Sequence, residues 1–282
     1  MSGPIKYHGG KWYLRSHIHR LAPKSYRTRV VPFAGGAQEL WGWVCPHCGN
    51  LPPNHKDDCP GLCEIVADLN DDLINFFRVL RTPATCQLLM ERLNDTLFSE
   101  SEFNHAISHR GTTRLDRAWA FFVKYRMSRQ GLGIDFATIS TSRTRSKINE
   151  QVSAWRGAID GLEECCERLR TLTLASRHSL KTLRAANGKY SFAYLDPPYH
   201  PSTRVAGEYE FEMTHEEHVE LLEFLATKWK GKFLLSGYNC DLYEEYRSKY
   251  QWELHEVPQK AHSSSSTTKS TRTECFWRNY SD

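Results

Sequence analysis

The sequence lacks long apolar runs and a secretory signal. No stretch approaches the roughly 20 apolar residues that a membrane helix requires. The first residues, up to Lys6, do not lead into the apolar core of a signal peptide. These absences predict a cytoplasmic protein with no membrane partner. At 282 residues, the chain is long enough for a main domain and a second, smaller one.

The chain also lacks a large net charge. Its formal charge of +4 is too small to predict a polyanionic partner by itself. The distribution is uneven, however: residues 105–156 contain ten lysines and arginines against three acidic residues, a balance of +7. Such a segment can neutralise phosphates and attract DNA. Within it, Arg143, Arg145 and Lys147 are candidate DNA contacts, and a solvated flexible loop is the alternative.

The most informative segment is Asp196-Pro197-Pro198-Tyr199, which follows the apolar run 192–195. The run predicts a buried strand that the prolines end abruptly, and strand ends of this kind hold ligands in α/β sheets. Because proline has no backbone donor, the turn offers mainly acceptors, and a planar amine could donate both hydrogens to them. Tyr199 adds a flat face for a nucleobase. An ordinary strand-ending turn is the alternative.

Two further apolar runs end in residues typical of a cofactor site. Residues 30–33 lead into Gly35 and Gly36, and paired glycines let the backbone approach a ligand closely. The full dinucleotide-binding spacing is missing, so a tight structural turn is the alternative, and a helix is expected to start at Gln38. The run 64–67 ends at Asp68, where Rossmann-like folds hold ribose hydroxyls. Since 32 residues separate Gly36 from Asp68, instead of about 20, a segment is inserted between them.

The inserted segment, residues 45–63, contains two cysteine pairs, one with two and one with three intervening residues. Pairs at this spacing can chelate one tetrahedral zinc ion. The predicted ligands are Cys45, Cys48, Cys59 and Cys63. Four protein ligands leave no position for a catalytic water, so the zinc would be structural. Two disulfides or four unrelated thiols are the alternatives, and His47 and His55 leave the identity of the fourth ligand open.

Four stretches together carry a resemblance to a known family. They are residues 5–11, 32–36, 67–70 and 196–199, and a weaker match covers 273–280. In their order they resemble the Dam-type (D12 class) DNA adenine-N6 methyltransferases, over nearly the full chain. The resemblance implies an α/β fold with a Rossmann-like class I methyltransferase sheet, S-adenosylmethionine as cofactor and double-stranded DNA as partner. We expect a monomer in a prokaryotic or phage-infected cell, with a restriction endonuclease, not part of this chain, as a further candidate partner.

The resemblance also implies domains and site residues. Residues 1–81 and 184–282 would form the S-adenosylmethionine-binding catalytic domain, with the zinc knuckle 45–63 inserted in it, and 82–183 the mostly helical target-recognition domain. The implied cofactor-binding residues are Tyr7, Lys11, Phe33, Ala34, Gly35, Gly36, Asp68 and Asp196. The implied catalytic residues are Asp196, Pro197, Pro198 and Tyr199. The stretch 125–133 resembles the family's loop leading into the recognition domain, which adds Arg126 and Arg129 to the predicted DNA contacts. A solvated surface charge is the alternative for Lys11.

The predicted reaction moves a methyl group from S-adenosylmethionine to N6 of an adenine that is flipped out of duplex DNA. Flipping makes the amine reachable, and Asp196 and the Pro197 carbonyl would accept its hydrogens. Two alternatives stay open. One is an amino methyltransferase that acts on N4 of cytosine or on RNA, because the turn recognises an amine and not a purine. The other is a catalytically inactive, zinc-containing DNA-binding protein.

Overall fold

The structure, a computed structural model, describes residues 3–7, 9–109, 111–203, 211–260 and 271–281. The helices in these ranges are α1 (Arg15–Leu21), α2 (Asp71–Arg81), α3 (Pro83–Asn94), α4 (Glu100–Ser108), α5 (Arg114–Met127), α6 (Glu150–Asp160), α7 (Leu162–Leu169), α8 (Ser179–Ala185), α9 (His215–Thr227) and α10 (Asp241–Tyr250). Short 3-10 turns are Trp12–Leu14, Leu40–Gly42, Arg129–Gly131 and Pro201–Thr203. No helix among the described residues has the length and apolar character needed to cross a membrane.

The strands form one large sheet and one hairpin. They are β1 (Thr28–Val31), β2 (Cys63–Asp68), β3 (Thr144–Arg145), β4 (Ile148–Asn149), β5 (Thr173–Ser176), β6 (Ser191–Leu195), β7 (Lys232–Gly237), β8 (Glu253–Lys260) and β9 (Thr271–Arg278). The sheet has seven strands in the order β5-β2-β1-β6-β7-β9-β8, and β3 pairs with β4. The predicted α/β fold is confirmed.

The centre of the sheet is parallel. β1 pairs with β2 and β6, and β6 pairs with β7, all in the parallel sense, whereas β9 is antiparallel to β7 and β8. All five residues of β6 are buried. Strands covered on both faces carry continuous apolar runs, which explains why the runs 30–33, 64–67 and 192–195 were recognisable in the sequence.

The chain divides into two compact units, and the first contains most of the sheet. It comprises residues 21–33, 62–69 and 177–282. Its core packs side chains of the parallel strands against α9 and α10, and among its most completely buried members are Val30, Ala193, Leu222, Phe233 and Trp277. Burial of these apolar side chains is the main source of stability of the unit.

The second unit, called the helical unit below, comprises residues 1–20, 34–61 and 70–176. Within it, α2 packs against α5 and α7, and α4 packs against α5. The ring of Phe76 lies 5.6 Å from that of Phe121 and 6.0 Å from that of Phe122. Because of this packing, α2 belongs to the helical unit. The boundaries of the compact units therefore differ from those of the predicted functional domains, 1–81 with 184–282 and 82–183. The functional domains stay a prediction.

The prediction that a helix starts at Gln38 is wrong. Only one 3-10 turn, Leu40–Gly42, forms after the glycines. Two contacts explain the difference. The Trp41 indole donates to the Gly36 carbonyl at 3.2 Å, and Cys45 begins a tight turn in which its amide donates to the Asn50 carbonyl at 2.8 Å. These contacts override the local helical pattern.

A capping box starts α5. The Thr113 hydroxyl accepts from the Asp116 amide at 3.1 Å, and the Asp116 carboxylate accepts from the Thr113 amide at 3.2 Å. Hydrogen bonds from the Thr113 hydroxyl and from Arg92 lower the pKa of Asp116 to about 2. The box satisfies backbone donors that the first turn of a helix cannot pair internally.

We expect Thr113→Ala to lower the free energy of unfolding by about 1 kcal/mol, because the substitution removes this N-cap. Urea denaturation measures the change. Thr112→Ala, at the neighbouring exposed position, serves as the control. Equal losses in the two variants would contradict a specific role of the capping box.

Candidate active site and metal centre

Four parallel strands deliver their carboxyl ends to one edge of the sheet. Phe33 lies two residues after the end of β1, β2 ends at Asp68, β6 is followed by Asp196, and β7 is followed by Tyr238. Because adjacent strands in the order β2-β1-β6-β7 are parallel, these four positions share that edge, which is where open α/β sheets bind ligands. Three of the four were predicted as site residues from the sequence.

The carboxylate of Asp196 is held by the neighbouring strand. Leu195 lies opposite Leu235 in the β6–β7 pairing, so Asp196 comes level with Ser236. The buried Ser236 hydroxyl lies 2.9 Å from Asp196 Oδ1 and 3.2 Å from the Leu195 carbonyl, and it can donate to either. Asp196 is half-buried and the following Pro197 is buried. The turn therefore presents a carboxylate whose orientation is set by β7.

Tyr199 is held at its ring and at its hydroxyl. The hydroxyl donates to the Glu274 carboxylate, at 3.0 and 3.2 Å from its two oxygens. The ring lies 4.3 Å from that of Tyr238 at an interplanar angle of 47°. Glu274 is 1% exposed, and no role was assigned to it from the sequence. An acidic residue directly before the apolar run 275–277 is the signal that could have indicated it.

Histidines surround the end of the same turn. His200 Nε2 lies 2.9 Å from His215 Nδ1, and His200 Nδ1 lies 2.8 Å from the Ser202 hydroxyl. The ring of the buried His218 is 5.2 Å from that of His200, and its Nδ1 is 3.0 Å from the Tyr243 hydroxyl. These contacts join the residue after Tyr199 to the start of α9.

The glycine turn, in the helical unit, packs closely against Tyr7. Gly35 has a φ of +47°, and a Cβ on it would lie 3.6 Å from the Tyr7 ring. A Cβ on Gly36 would lie only 2.8 Å from the Tyr7 Cβ, closer than two such carbons can approach. Glycine at 36 is therefore required by the approach of Tyr7. Ala34, the first residue of the turn, is buried.

Tyr7 contacts two further elements. Asn70 Nδ2 donates to the Tyr7 hydroxyl at 3.4 Å, and the Tyr125 ring lies 4.9 Å from the Tyr7 ring. Asn70 is also the N-cap of α2. Lys11 is 2% exposed, so the alternative that it is a solvated surface charge is wrong. In this unit the structure thus brings Tyr7 together with Gly35 and Gly36.

An open cleft of about 1370 Å³, including its solvent-filled mouth, adjoins this region. It is lined by Tyr7, Gly9, Gly10, Trp12 and Gln38, and also by the cations Lys6, Arg15 and Arg126. The described lining residues include no carboxylate. A cleft with this lining favours a ligand that has negatively charged groups.

Three cysteines and a histidine of the inserted segment form a candidate metal centre. The ligand atoms of Cys45, Cys48, His55 and Cys59 all lie within 4.8 Å of one another. A tetrahedral zinc ion with Zn–S bonds of about 2.3 Å separates two sulfurs by about 3.8 Å, and a sulfur from a nitrogen by about 3.6 Å. Cys45 Sγ lies 3.7 Å from Cys59 Sγ, and His55 Nδ1 lies 3.6 Å from Cys48 Sγ and 3.4 Å from Cys59 Sγ. The donor set therefore fits a zinc ion.

The local backbone prepares one thiol of this group for a metal. Main-chain hydrogen bonds at Asn50 and Lys56 lower the pKa of Cys48 to about 6, which favours the thiolate, the form that binds metal. No disulfide joins any of the described cysteines. The structure groups His55 with the three cysteines in place of the predicted Cys63. Cys63 is the exposed first residue of β2, and its amide donates to the Arg27 carbonyl at 3.0 Å.

The residues predicted to contact DNA fall into two environments. Arg143, Arg145 and Lys147 lie on the β3–β4 hairpin, where all residues from 141 to 147 are exposed. Arg143 also pairs with Glu150 at 2.7 Å. The hairpin turn has positive φ at both central residues, Ser146 (54°) and Lys147 (65°), as a two-residue type I′ turn requires.

The two arginines near the end of α5 differ from each other. Arg129 is exposed, in the 3-10 turn that follows the helix. The Arg126 guanidinium instead donates to the main chain, at 2.7 Å to the Pro4 carbonyl and 2.9 Å to the Gly3 carbonyl. Burial lowers the pKa of Arg126 to about 10, which leaves it charged at neutral pH.

We expect Tyr199→Phe to lower the free energy of unfolding by about 1–3 kcal/mol, because it leaves the buried Glu274 carboxylate without the Tyr199 donor. The measurement is urea denaturation. Tyr190→Phe, at a tyrosine that is 59% exposed, is the matched control and should change stability little. A Tyr199→Phe loss no larger than that of the control would show that the Glu274 contact does not hold the turn.

Comparisons with known proteins identify the family. No curated protein matches the chain in sequence. The solved N-terminal domain of human METTL16 in complex with SAH is similar at 9% identity with a TM-score of 0.34, over 96% of this chain and 68% of that one; a similarity this weak carries no argument. The family of D12 class N6 adenine-specific DNA methyltransferases matches residues 7–262, which confirms the resemblance predicted from the sequence. The chain therefore belongs to the D12 class N6 adenine-specific DNA methyltransferase family and is an adenine-N6-specific DNA methyltransferase.

Proposed function

We propose that the chain methylates N6 of an adenine that is flipped out of duplex DNA, with S-adenosylmethionine as the methyl donor. The observation that carries this proposal is the turn 196–199 at the carboxyl edge of the sheet, which we call the acceptor turn. Ser236 of β7 donates to the Asp196 carboxylate of this turn at 2.9 Å. An amine in the plane of a base could donate its hydrogens to Asp196 and to the Pro197 carbonyl. Flipping is required because the amine is inaccessible inside the duplex.

The acceptors would act by orienting the amine and drawing on its hydrogens, which makes the nitrogen lone pair more available. When bound, S-adenosylmethionine supplies an electrophilic methyl group on a positively charged sulfur. The adenine nitrogen gains the methyl group and loses one proton. The Tyr199 ring, fixed by Glu274 and Tyr238, offers a face on which the flipped base can stack. Much of the rate would come from this positioning.

The cofactor would be held by eight residues. We assign to it Tyr7, Lys11, Phe33, Ala34, Gly35, Gly36, Asp68 and Asp196. Two observations support the assignment. Asp68 ends β2 at the carboxyl edge, where a carboxylate accepts from ribose hydroxyls. The turn at Gly35 and Gly36 has no side chains that would keep a ligand from its backbone.

The β3–β4 hairpin is the proposed DNA contact. A two-stranded ribbon fits the major groove of B-DNA, and the exposed Arg143, Arg145 and Lys147 can neutralise backbone phosphates. Exposed Arg129 joins this set. The excess of positive charge across residues 105–156 would steer DNA toward the same unit.

The metal centre would be structural. We propose that Cys45, Cys48, His55 and Cys59 hold one zinc ion and so stabilise the segment between the glycine turn and β2. Four protein ligands complete a tetrahedral shell and leave no position for a reacting water. Zinc binding to such a small segment contributes directly to its folding.

We expect Asp196→Ala to retain S-adenosylmethionine binding through the other seven residues assigned to the cofactor. It should lose methyl transfer by about 10²–10⁴-fold, because the amine loses its oriented acceptor. Transfer of a tritiated methyl group to duplex DNA measures the rate, and isothermal titration calorimetry measures cofactor binding. Asp160→Ala, at an exposed position on α6, is the control. Near-normal transfer by Asp196→Ala would refute the assigned role.

Metal analysis distinguishes the ligand set that contains His55 from the four-cysteine set that contains Cys63. The wild-type chain should purify with one zinc ion, Cys63→Ser should retain it, and His55→Ala should lose most of it, because removing one of four ligands opens the shell. Mass spectrometry of the metal content per chain is the measurement. Loss of zinc in Cys63→Ser with retention in His55→Ala would instead support the four-cysteine set.

A further inference from the structure

The segment that carries Tyr7 is fixed mainly through its own backbone. We call residues 3–7 the N-terminal strap. Its carbonyls accept from side chains of two other elements: Gly3 and Pro4 from Arg126, and Ile5 from Gln38 Nε2 at 2.9 Å. The strap residues Pro4 and Ile5 are buried. Long polar side chains therefore determine where this irregular segment lies.

Arg126, near the end of α5, contacts the strap through two hydrogen bonds. Two nitrogens of one guanidinium, Nε and Nη2, donate to the carbonyls of two successive strap residues, 122 and 123 positions away in the chain. A planar fork that makes two charge-assisted hydrogen bonds fixes both distance and orientation. Gly131 adds a close approach, since a Cβ on it would lie 2.8 Å from the Lys6 carbonyl. The end of α5 and the turn after it thus contact the strap at three residues, Gly3, Pro4 and Lys6.

The position of the strap sets the position of Tyr7. The Tyr7 ring packs on Tyr125, the residue directly before Arg126, at 4.9 Å. The Tyr7 side chain also packs against the glycine turn, where Gly36 has no room for a Cβ beside Tyr7. A displacement of the strap would therefore separate Tyr7 from the backbone of Gly35 and Gly36.

We propose that Arg126 is a positioning residue for cofactor binding, which clamps the N-terminal strap so that Tyr7 lies against the glycine turn. This role replaces the DNA contact predicted for Arg126 from the sequence. It rests on the proposed function, since it requires that Tyr7 and the glycine turn bind S-adenosylmethionine. Arg129, three residues further along and exposed, keeps its role as a DNA contact.

The test compares Arg126→Met with Arg129→Met, a matched pair that removes one positive charge each. S-adenosylmethionine binding is measured by calorimetry without DNA, and duplex binding by fluorescence anisotropy without cofactor at several salt concentrations. Arg126→Met should raise the cofactor Kd by about tenfold or more, because two charge-assisted hydrogen bonds are lost. Its DNA affinity and salt slope should stay unchanged. Arg129→Met should lower the salt slope by about one phosphate contact and leave the cofactor Kd unchanged.

Two further measurements distinguish positioning from general destabilisation. In steady-state kinetics, Arg126→Met should raise KM for S-adenosylmethionine while kcat changes by less than about twofold. Arg126→Lys, which can still donate to a strap carbonyl, should recover part of the affinity. Gln38→Leu removes a second side-chain donor to the strap carbonyls without changing charge. It should weaken cofactor binding in the same direction, which keeps the test available if Arg126→Met does not fold.

The outcomes are separable. An unchanged cofactor Kd in Arg126→Met, with weaker DNA binding and a smaller salt slope, would overturn this inference and restore the DNA contact. An unchanged cofactor Kd in folded Gln38→Leu would also count against the clamp. A wild-type chain that binds no S-adenosylmethionine would overturn the proposed function itself and this inference with it.

Discussion

The parallel pairing of β1, β2, β6 and β7 is the constraint on which the site depends. It brings four distant segments to one edge of the sheet, and it sets Asp196 level with Ser236. A slip of one residue between β6 and β7 would turn Ser236 to the opposite face and leave the Asp196 carboxylate without this donor. The position of the acceptor turn is thus a consequence of how the sheet pairs.

Side chains that bind across long sequence separations complete the arrangement. Glu274 of β9 accepts a hydrogen bond from Tyr199, 75 residues away, and Arg126 of α5 donates hydrogen bonds to the N-terminal strap. Methyl transfer to an amine requires little acid–base chemistry from the protein and much accuracy in placing the reactants. A scaffold whose turn, aromatic ring and strap are each anchored by a second element suits that requirement.

Local features of the site were predictable from the sequence, and its long-range contacts were not. The apolar runs before Asp68 and Asp196 identified buried strands because strands covered on both faces are apolar throughout. The cysteine spacing identified the segment that contains the candidate metal centre. The fourth member of the candidate ligand group depends on how the loop folds back, so spacing alone could not favour His55 over Cys63. An acidic residue before the apolar run 275–277 could have indicated Glu274, but its partner Tyr199 and the strap contacts of Arg126 arise only in the folded chain.

The identity of the methylated atom tests the account most directly. Wild-type chain is incubated with duplex DNA and S-adenosylmethionine that carries a deuterated methyl group, and the digested nucleosides are analysed by mass spectrometry. We expect the label to appear as N6-methyladenine. Label on N4 of cytosine would contradict the assignment of adenine, and label on a ring carbon of any base would contradict the amine-binding turn itself.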